Sequence, residues 1–500
     1  MSETIEAVGR SVRTGLFIGG AERFTDEVLP VADPGKPGRI VGEAASASPR
    51  TWPTRSPRRR RRTRRGPRCR PPSALRRWPR PSPAWATTAT RTPRSCRRRT
   101  GRSGSRPGWT PSSSSLRWNL ALQIADQVDE VTTLPVVPGA IPVATRVAHQ
   151  SLGVVSLIVP FNWPIAILGA SLPYALLAGN TVVVKAPPTT PLAITRVVQR
   201  VAAGLPAGVL NVISGKDENM SGLIQNQDVA KVSFTGSVNG GKRMMQMGAT
   251  TLTRVTLELG GNDPAVFLAD AILDDEHLDR LYAAIYDTTG QICMNAKRVF
   301  VHRSRLDEVV AGLSARLEKA VLGYGLDEGT TMGPLNSAAQ KAFVEEIIQE
   351  AKDAGADVRE FGTVPGGELE GGNFARPAIV VDPDLSLRVV TQEQFGPVIP
   401  VIPFDDEDEA VRLANDTWAG LCGSVWTASP EAAQRVGSQL VCGYVWVNDH
   451  GATRLDLRAP FGGMKGSGFG REQGIEGVRD FQDTRAIATI DPAALAAMAH

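Results

Sequence analysis

Cysteine is scarce in this 500-residue chain, with five residues at no regular spacing. That excludes a disulfide framework and a cysteine-based zinc site. Lysine and acidic residues are missing altogether from Arg50–Arg117, a stretch that carries 22 arginines. No apolar run reaches membrane length intact. Ser151–Gly179 comes nearest, but Pro160, Asn162, Pro164 and Pro173 interrupt it, which predicts a buried strand, a loop and a helix instead of a span. Met1–Phe17 shows no secretory leader, so the expected compartment is the reducing cytoplasm. No internal repeat is visible.

The arginine-rich stretch distorts the bulk composition. Setting its 22 arginines aside turns the formal net charge of +5 into −17, so the remainder is acidic. Three readings compete for Arg50–Ser115: a basic arm for nucleic acid, a low-complexity linker, and translation of a GC-rich gene out of frame between two compensating indels. The third is preferred. Basicity from arginine alone is what shifted GC-rich codons yield, whereas basic arms mix lysine with arginine. Five of the nine tryptophans also fall in or beside this stretch. On the third reading no nucleic-acid partner is expected. The run L-R-W-N-L-A-L-Q-I-A-D-Q-V from Leu116 then resumes as a helix.

Elsewhere the chain is ordinary for a globular protein, with 42% hydrophobic and 21% charged residues. Val154–Val159 and Thr181–Lys185 are short β-branched runs, as for strands buried on both faces. Between them Ile165–Leu177 reads as a helix, stopped by Ala178-Gly179-Asn180. Pro191–Ala203 reads as the next helix, and Val209–Ile213 and Val229–Phe234 as further strands. Such alternation predicts a parallel, doubly wound sheet, hence an α/β fold. A second α/β region follows Gly260. There Ala339–Lys352 is an amphipathic helix, with Phe343, Ile347 and Ala351 on one face, widened by Val344 and Ile348, and Gly355 just past its end.

Four motifs carry chemistry: P-F-N-W-P at Pro160–Pro164, T-L-E-L-G-G-N at Thr256–Asn262, G-Q-I-C at Gly290–Cys293 and E-Q-F-G-P at Glu393–Pro397. Cys293 supplies a sulfur nucleophile able to attack a carbonyl carbon. A lone cysteine is more commonly a small buried hydrophobe, and Cys422 and Cys442 in their apolar runs are read that way. Glu258, on a glycine-rich turn, can approach and activate a water. By itself it reads equally as an acid ending a strand. Asn162 alone reads as a turn residue before Trp163-Pro164. F-T-G-S-V-N-G-G at Phe234–Gly241 places Gly236 and Ser237 at the start of a helix whose amides can face a phosphate, with Gly241 for close packing. G-S-G-F-G at Gly466–Gly470 mimics a dinucleotide loop, but no strand leads into it, and it is rejected.

Together and in this order, the motifs resemble the NAD(P)-dependent aldehyde dehydrogenase superfamily over about Leu116–Ile490, and weakly over Leu16–Ser48. The resemblance implies oxidation of an aldehyde to its acid through a cysteine thiohemiacetal and thioester. Cys293 would be the nucleophile, Glu258 the general base and Asn162 the oxyanion donor, with no metal. Glu258 favours a free acid as product, since relatives that pass the acyl group to coenzyme A generally lack it. The cofactor, NAD or NADP, would meet Gly236, Ser237, Gly241, Lys185 at its adenosine ribose, Glu393 at its nicotinamide ribose, and Phe395 beside its ring. The acid that many NAD-preferring relatives carry three residues after the lysine is here Pro188, so dual use of NAD and NADP is expected. Asp263 supports no reading. The loop V-W-V-N-D-H-G-A-T-R-L-D-L-R-A-P offers Asp449, His450 and Arg454 to a tunnel mouth. Arg454 is read as solvated, with a substrate carboxylate as the alternative.

The implied architecture is a dinucleotide-binding domain (1–131 and 152–259), a catalytic domain (260–470) and a small β arm (132–151 and 480–492) that joins subunits into a homodimer or homotetramer. A second reading stays open: if Arg50–Ser115 is translated as written, the first sheet loses its opening helices, and the chain is a catalytically impaired remnant.

Overall fold

The computed structural model describes residues 12–48, 109–135 and 143–490, so most of Arg50–Ser115 lies outside the described residues. Two large sheets organise the chain. The first has eight strands in the order Gly468–Phe469, Arg254–Glu258, Val229–Thr235, Val154–Ile158, Thr181–Lys185, Leu210–Ile213, Leu16–Ile18, Ala21–Arg23. Its central five are parallel, and antiparallel strands close both edges. Sequence order runs outward from Val154–Ile158 in one direction and then restarts on its other side with Val229–Thr235. That reversal opens a crevice at the carboxyl ends of these two strands, where doubly wound sheets bind ligands.

The parallel strands are buried because their side chains are apolar on both faces: Val155, Leu157, Val182, Val184, Leu210 and Val212 on one face are at most 1% exposed, and Ile158, Val183 and Ile213 on the other at most 9%. A bare first sheet, as a remnant would show, is therefore not what this chain has. The helices fall where the apolar spacing places them, at Pro164–Leu177, Pro191–Ala203 and Ala338–Asp353. The last is capped by Ser337, whose hydroxyl accepts the Gln340 N–H, and buries Val344, Ile347, Ile348 and Ala351. Each of the larger three contributes roughly 1.5–3 kcal/mol.

Pro173 sits inside the Pro164–Leu177 helix, within the stretch expected to be helical, and that helix is buried along nearly all its length. Packing outweighs the one lost hydrogen bond there. The helix expected from Leu116 begins at Trp109. Pro111 lies in its first turn, where proline is tolerated. Ser114 then meets Gly169 of the neighbouring helix so closely that a Cβ on Gly169 would lie 2.9 Å from the Ser114 Oγ. A tertiary contact thus lengthens the helix into a serine run that carries no helical signal.

The second sheet has seven strands in the order Asp357–Glu360, Ala378–Val381, Val398–Phe404, Ala296–His302, Asp263–Phe267, Cys422–Trp426, Tyr444–Val447. All but the first are parallel. A three-stranded antiparallel sheet stands apart, with Gln482–Ile490 paired along nine residues to Val143–Ser151, and Thr132–Leu134 on the other side. Among the described residues no helix is long and apolar enough to cross a membrane.

Candidate active site

The site lies where the carboxyl edge of the first sheet meets the amino edge of the second. Strand register places Lys185 level with Ile158 and Ile213, and Glu258 level with Thr235. Asn162, Lys185, Gly236, Ser237 and Glu258 therefore all emerge at one edge. From the second sheet come Asp263 and Cys422 at strand starts, Cys293 just before Ala296, and Glu393 and Phe395 just before Val398. The link between the sheets is the turn Gly260-Gly261. A side chain at Gly261 would stand 2.6 Å from both the Cys293 carbonyl and Asp263 Oδ1, so glycine alone fits there.

Cys293 is partly exposed and follows a strained turn. Thr288, Thr289 and Gly290 have φ of 58°, 57° and 73°, a left-handed run that two β-branched residues rarely adopt. Several groups hold it. Trp163 Nε1 donates to Thr288 Oγ1 at 2.9 Å, and Thr289 Oγ1 donates to the Gly333 carbonyl at 3.0 Å. Lys297 Nζ donates to the Gly290 carbonyl at 2.9 Å, and Asn162 Nδ2 to the Gln291 carbonyl at 2.9 Å. One of the two Asn162 Nδ2 protons is thereby used and the other stays available. Trp163 is thus a buried anchor packed with Ile292 and Met294, while Phe161 meets Phe395 edge-on at 6.0 Å. The two rings that flank Asn162 thus have different tasks.

Burial raises the Cys293 thiol above its ordinary range, and the carboxyls of Glu393, Asp263 and Glu258 add to it, while Lys297 opposes. The sulfur is a neutral thiol here and needs a base to become a nucleophile. Glu258 is 4% exposed. Its carboxyl is pushed well above the usual range by burial first and by Glu472 second. Glu472 is itself raised to about 7 by burial, against the Ser171 hydroxyl that donates to it at 2.8 Å and the Arg117 guanidinium. Arg117 is buried and lowered to about 10 for the same reason. The segment P-F-G-G-M-K-G-S-G-F-G-R-E wraps this carboxyl: Gly468 pairs with Glu258 in the sheet, and a Cβ on Gly462 would stand 3.0 Å from Glu258 Oε1.

Glu393 accepts the Gly261 N–H at 3.1 Å, and burial raises it to about 7 against the pull of Lys297. Lys297 also lies over the Phe395 ring at 5.4 Å. Asp263 is 1% exposed, and burial pushes its carboxyl well up against the opposing Cys422 N–H and Lys297. It lines a small crevice with Asn262, Cys422 and Cys442.

At the other end, Ser237 caps the Val238–Ala249 helix by accepting the Gly240 N–H at 3.1 Å. The Gly236 N–H goes to the Glu258 carbonyl at 3.0 Å, tying this turn to the Glu258 strand. A Cβ on Gly241 would stand 2.7 Å from Leu259, so helix and strand touch there. The open first turn of this helix has the geometry to receive a phosphate. Lys185 is 3% exposed and pairs with the well-exposed Asp217.

Sequence reasoning passed over Asp217, Lys297, Glu472, Ser171 and Arg117. Lys297 and Glu472 adjoin recognised motifs and could have been found by proximity. The other three reach the site only through the fold.

An α/β crevice with a cysteine loop at its mouth and a glycine-rich helix start beneath defines a dinucleotide-dependent oxidoreductase. A sequence model of the aldehyde dehydrogenase family matches residues 112–487, and the chain belongs to that family. It is 37% identical over 360 residues to phenylacetaldehyde dehydrogenase of Pseudomonas fluorescens, covering 71% of this chain and 70% of the relative. It is 37% identical over 376 residues to 2-hydroxymuconic semialdehyde dehydrogenase of Pseudomonas sp. (strain CF600), covering 74% and 76%. Betaine aldehyde dehydrogenase of Staphylococcus aureus, solved with NAD+, superposes with a TM-score of 0.83 at 27% identity, covering 95% of this chain and 97% of that one. The enzyme is an oxidoreductase that uses NAD(P) to oxidise an aldehyde to its carboxylic acid. The impaired-remnant reading is not favoured.

Proposed function

We propose that Cys293, Glu258 and Asn162 carry this oxidation. Glu258 takes the thiol proton as Cys293 Sγ bonds to the aldehyde carbon. The carbonyl oxygen, now an oxyanion, is met by the free Asn162 Nδ2 proton and the Cys293 N–H. NAD(P), when held at its nicotinamide end by Glu393 and Phe395, would supply the acceptor for the hydride that leaves this carbon. Glu258 gives up its first proton to solvent, and the resulting thioester is then attacked by a water whose proton passes to Glu258, which releases the acid and restores the sulfur. The carrying observation is the Asn162–Gln291 hydrogen bond, which brings an amide from the first sheet to the loop two residues before Cys293. The test is Cys293→Ala: aldehyde oxidation falls to background while NADH still binds by fluorescence. Retained turnover overturns the assignment.

Gly236, Ser237 and Gly241 are assigned to the pyrophosphate, Lys185 to the adenosine ribose, and Glu393 and Phe395 to the nicotinamide end. Both NAD and NADP are proposed to be used, because Pro188 offers no repelling carboxylate. Preference for NAD above about a thousandfold in kcat/KM, roughly 4 kcal/mol, would refute dual use. For the substrate, Arg454 is 3.3 Å from Asp449, so its charge is locally balanced. Around Cys293 stand Trp446, Leu455, Phe461 and Met294. An aldehyde with an apolar body suits these walls, which a screen of aryl against carboxylate-bearing aldehydes decides.

The first sheet region (1–131 and 152–259) is proposed as the cofactor domain, 260–470 as the catalytic domain, and 132–151 with 480–492 as the arm of a cytoplasmic homodimer or homotetramer. Arg50–Ser115 is proposed to arise from two compensating indels. Resequencing codons 45–120 removes the arginine run if so, and returns it unchanged if not.

A further inference from the structure

We propose that His450 is a positioning residue for the nucleophile, a fixed hydrogen-bond donor that holds the Met294 carbonyl, one peptide beyond Cys293, and so keeps the loop in the attacking geometry. This rests on the assignment of Cys293 above.

The geometry is a directed chain from the core to the loop. Trp426 Nε1 lies 2.9 Å from Ser424 Oγ, Ser424 Oγ lies 2.8 Å from His450 Nδ1, and His450 Nε2 lies 3.1 Å from the Met294 carbonyl. Each atom has one permitted role. An indole nitrogen only donates, so Ser424 Oγ accepts from Trp426. A carbonyl only accepts, so His450 Nε2 carries a proton. His450 is 3% exposed, and burial lowers it to about 3, so the ring is neutral and Nδ1 is bare. The Ser424 hydroxyl therefore donates to Nδ1. Ser424 selects the tautomer, and the tautomer selects the bond to Met294.

The chain is anchored firmly. Trp426 is fully buried and stacks on Phe267 at 4.7 Å and 12°. Trp446 covers the His450 ring at 4.7 Å, and Ser424 is fully buried. Before Cys293 the backbone is held by Lys297 at Gly290 and by Asn162 at Gln291. After it, His450 takes the Met294 carbonyl. Without that donor, a carbonyl in a largely dry site must turn to find another, and Sγ turns with it. Displacement of a reacting atom by about 1 Å is enough for a hundredfold loss.

The experiment compares four variants, using the aldehyde that the wild type oxidises fastest among straight-chain and aryl aldehydes. His450→Leu removes the donor. His450→Gln keeps one, because its amide nitrogen reaches the position of Nε2. Ser424→Ala frees the ring to adopt the other tautomer, and the fourth variant combines Ser424→Ala with His450→Gln. Expected is a fall in kcat of about ten- to a hundredfold for His450→Leu and a smaller fall for Ser424→Ala. The KM for NAD+ stays unchanged, His450→Gln recovers to within about threefold, and Ser424→Ala adds nothing to it. Equal kcat losses in His450→Leu and His450→Gln, or Ser424→Ala losses that persist in the Gln background, overturn the proposal and leave a packing role. If His450→Leu does not fold, the Ser424→Ala comparison in the two backgrounds decides alone. Turnover retained by Cys293→Ala would instead strike the assignment on which the proposal stands.

Discussion

At the scale of single residues, the site is a set of buried charges arranged to oppose their ordinary ionisation. The same dry surroundings raise the pKa of both the Cys293 thiol and the Glu258 carboxyl. A carboxyl with a raised pKa is a stronger base once ionised, so turnover should rise with pH as Glu258 loses its proton, and fall as pH drops through its raised value. Glu258→Gln should reduce turnover about 10²–10⁴-fold and leave an acyl group on Cys293, visible as a mass increase on the intact protein. Normal turnover without that adduct would count against the base. Asp217 makes a finer case. Its carboxylate pairs with Lys185, the residue assigned to the adenosine ribose. Because Asp217 is well exposed, its repulsion of a 2′-phosphate is screened. Asp217→Ala should therefore raise kcat/KM for NADP by only about two- to fivefold. No change, measured beside an unaltered NAD value, would remove Asp217 from cofactor choice.

At the scale of elements, the loop before Cys293 stores strain that its neighbours hold. Gly290 has a φ of 73°, and an added Cβ would drive into the Gly396 carbonyl. Gly290→Ala should cost about 2 kcal/mol or more in stability and move the nucleophile. A denaturation midpoint equal to wild type would show that the loop relaxes freely. The helices and parallel strands of the first sheet were legible as patterns: β-branched runs at Val154–Ile158 and Thr181–Lys185, and apolar spacing at Pro191–Ala203. The start of the Trp109–Gln123 helix was not, because serine carries little propensity and the contact at Gly169 settles it.

At the scale of the whole molecule, the Gln482–Ile490 strand pairs fully on one side, yet its residues from Thr484 onward are exposed, with Ile487 at 48% and Ile490 at 54%. An apolar edge of that length invites another chain. Changing Ile487 and Ile490 together to Glu should lower the mass of the assembly in sedimentation, with the monomer's cofactor domain still folded. An unchanged mass would place the subunit contact elsewhere.

Local pattern was enough to set the α/β class, the alternation of strands and helices, and the four motifs, because period and turn chemistry are written in neighbouring residues. Cys293, Glu258, Asn162 and Glu393 could be singled out from their motifs alone. What decided their surroundings was tertiary. Asp217 comes to Lys185, Glu472 to Glu258, and His450 to the Met294 carbonyl across separations of 32 to over 200 residues. No local spacing encodes such contacts. They exist because two sheets meet edge to edge, and the dry volume between them obliges every buried charge and carbonyl to find a partner or change its protonation.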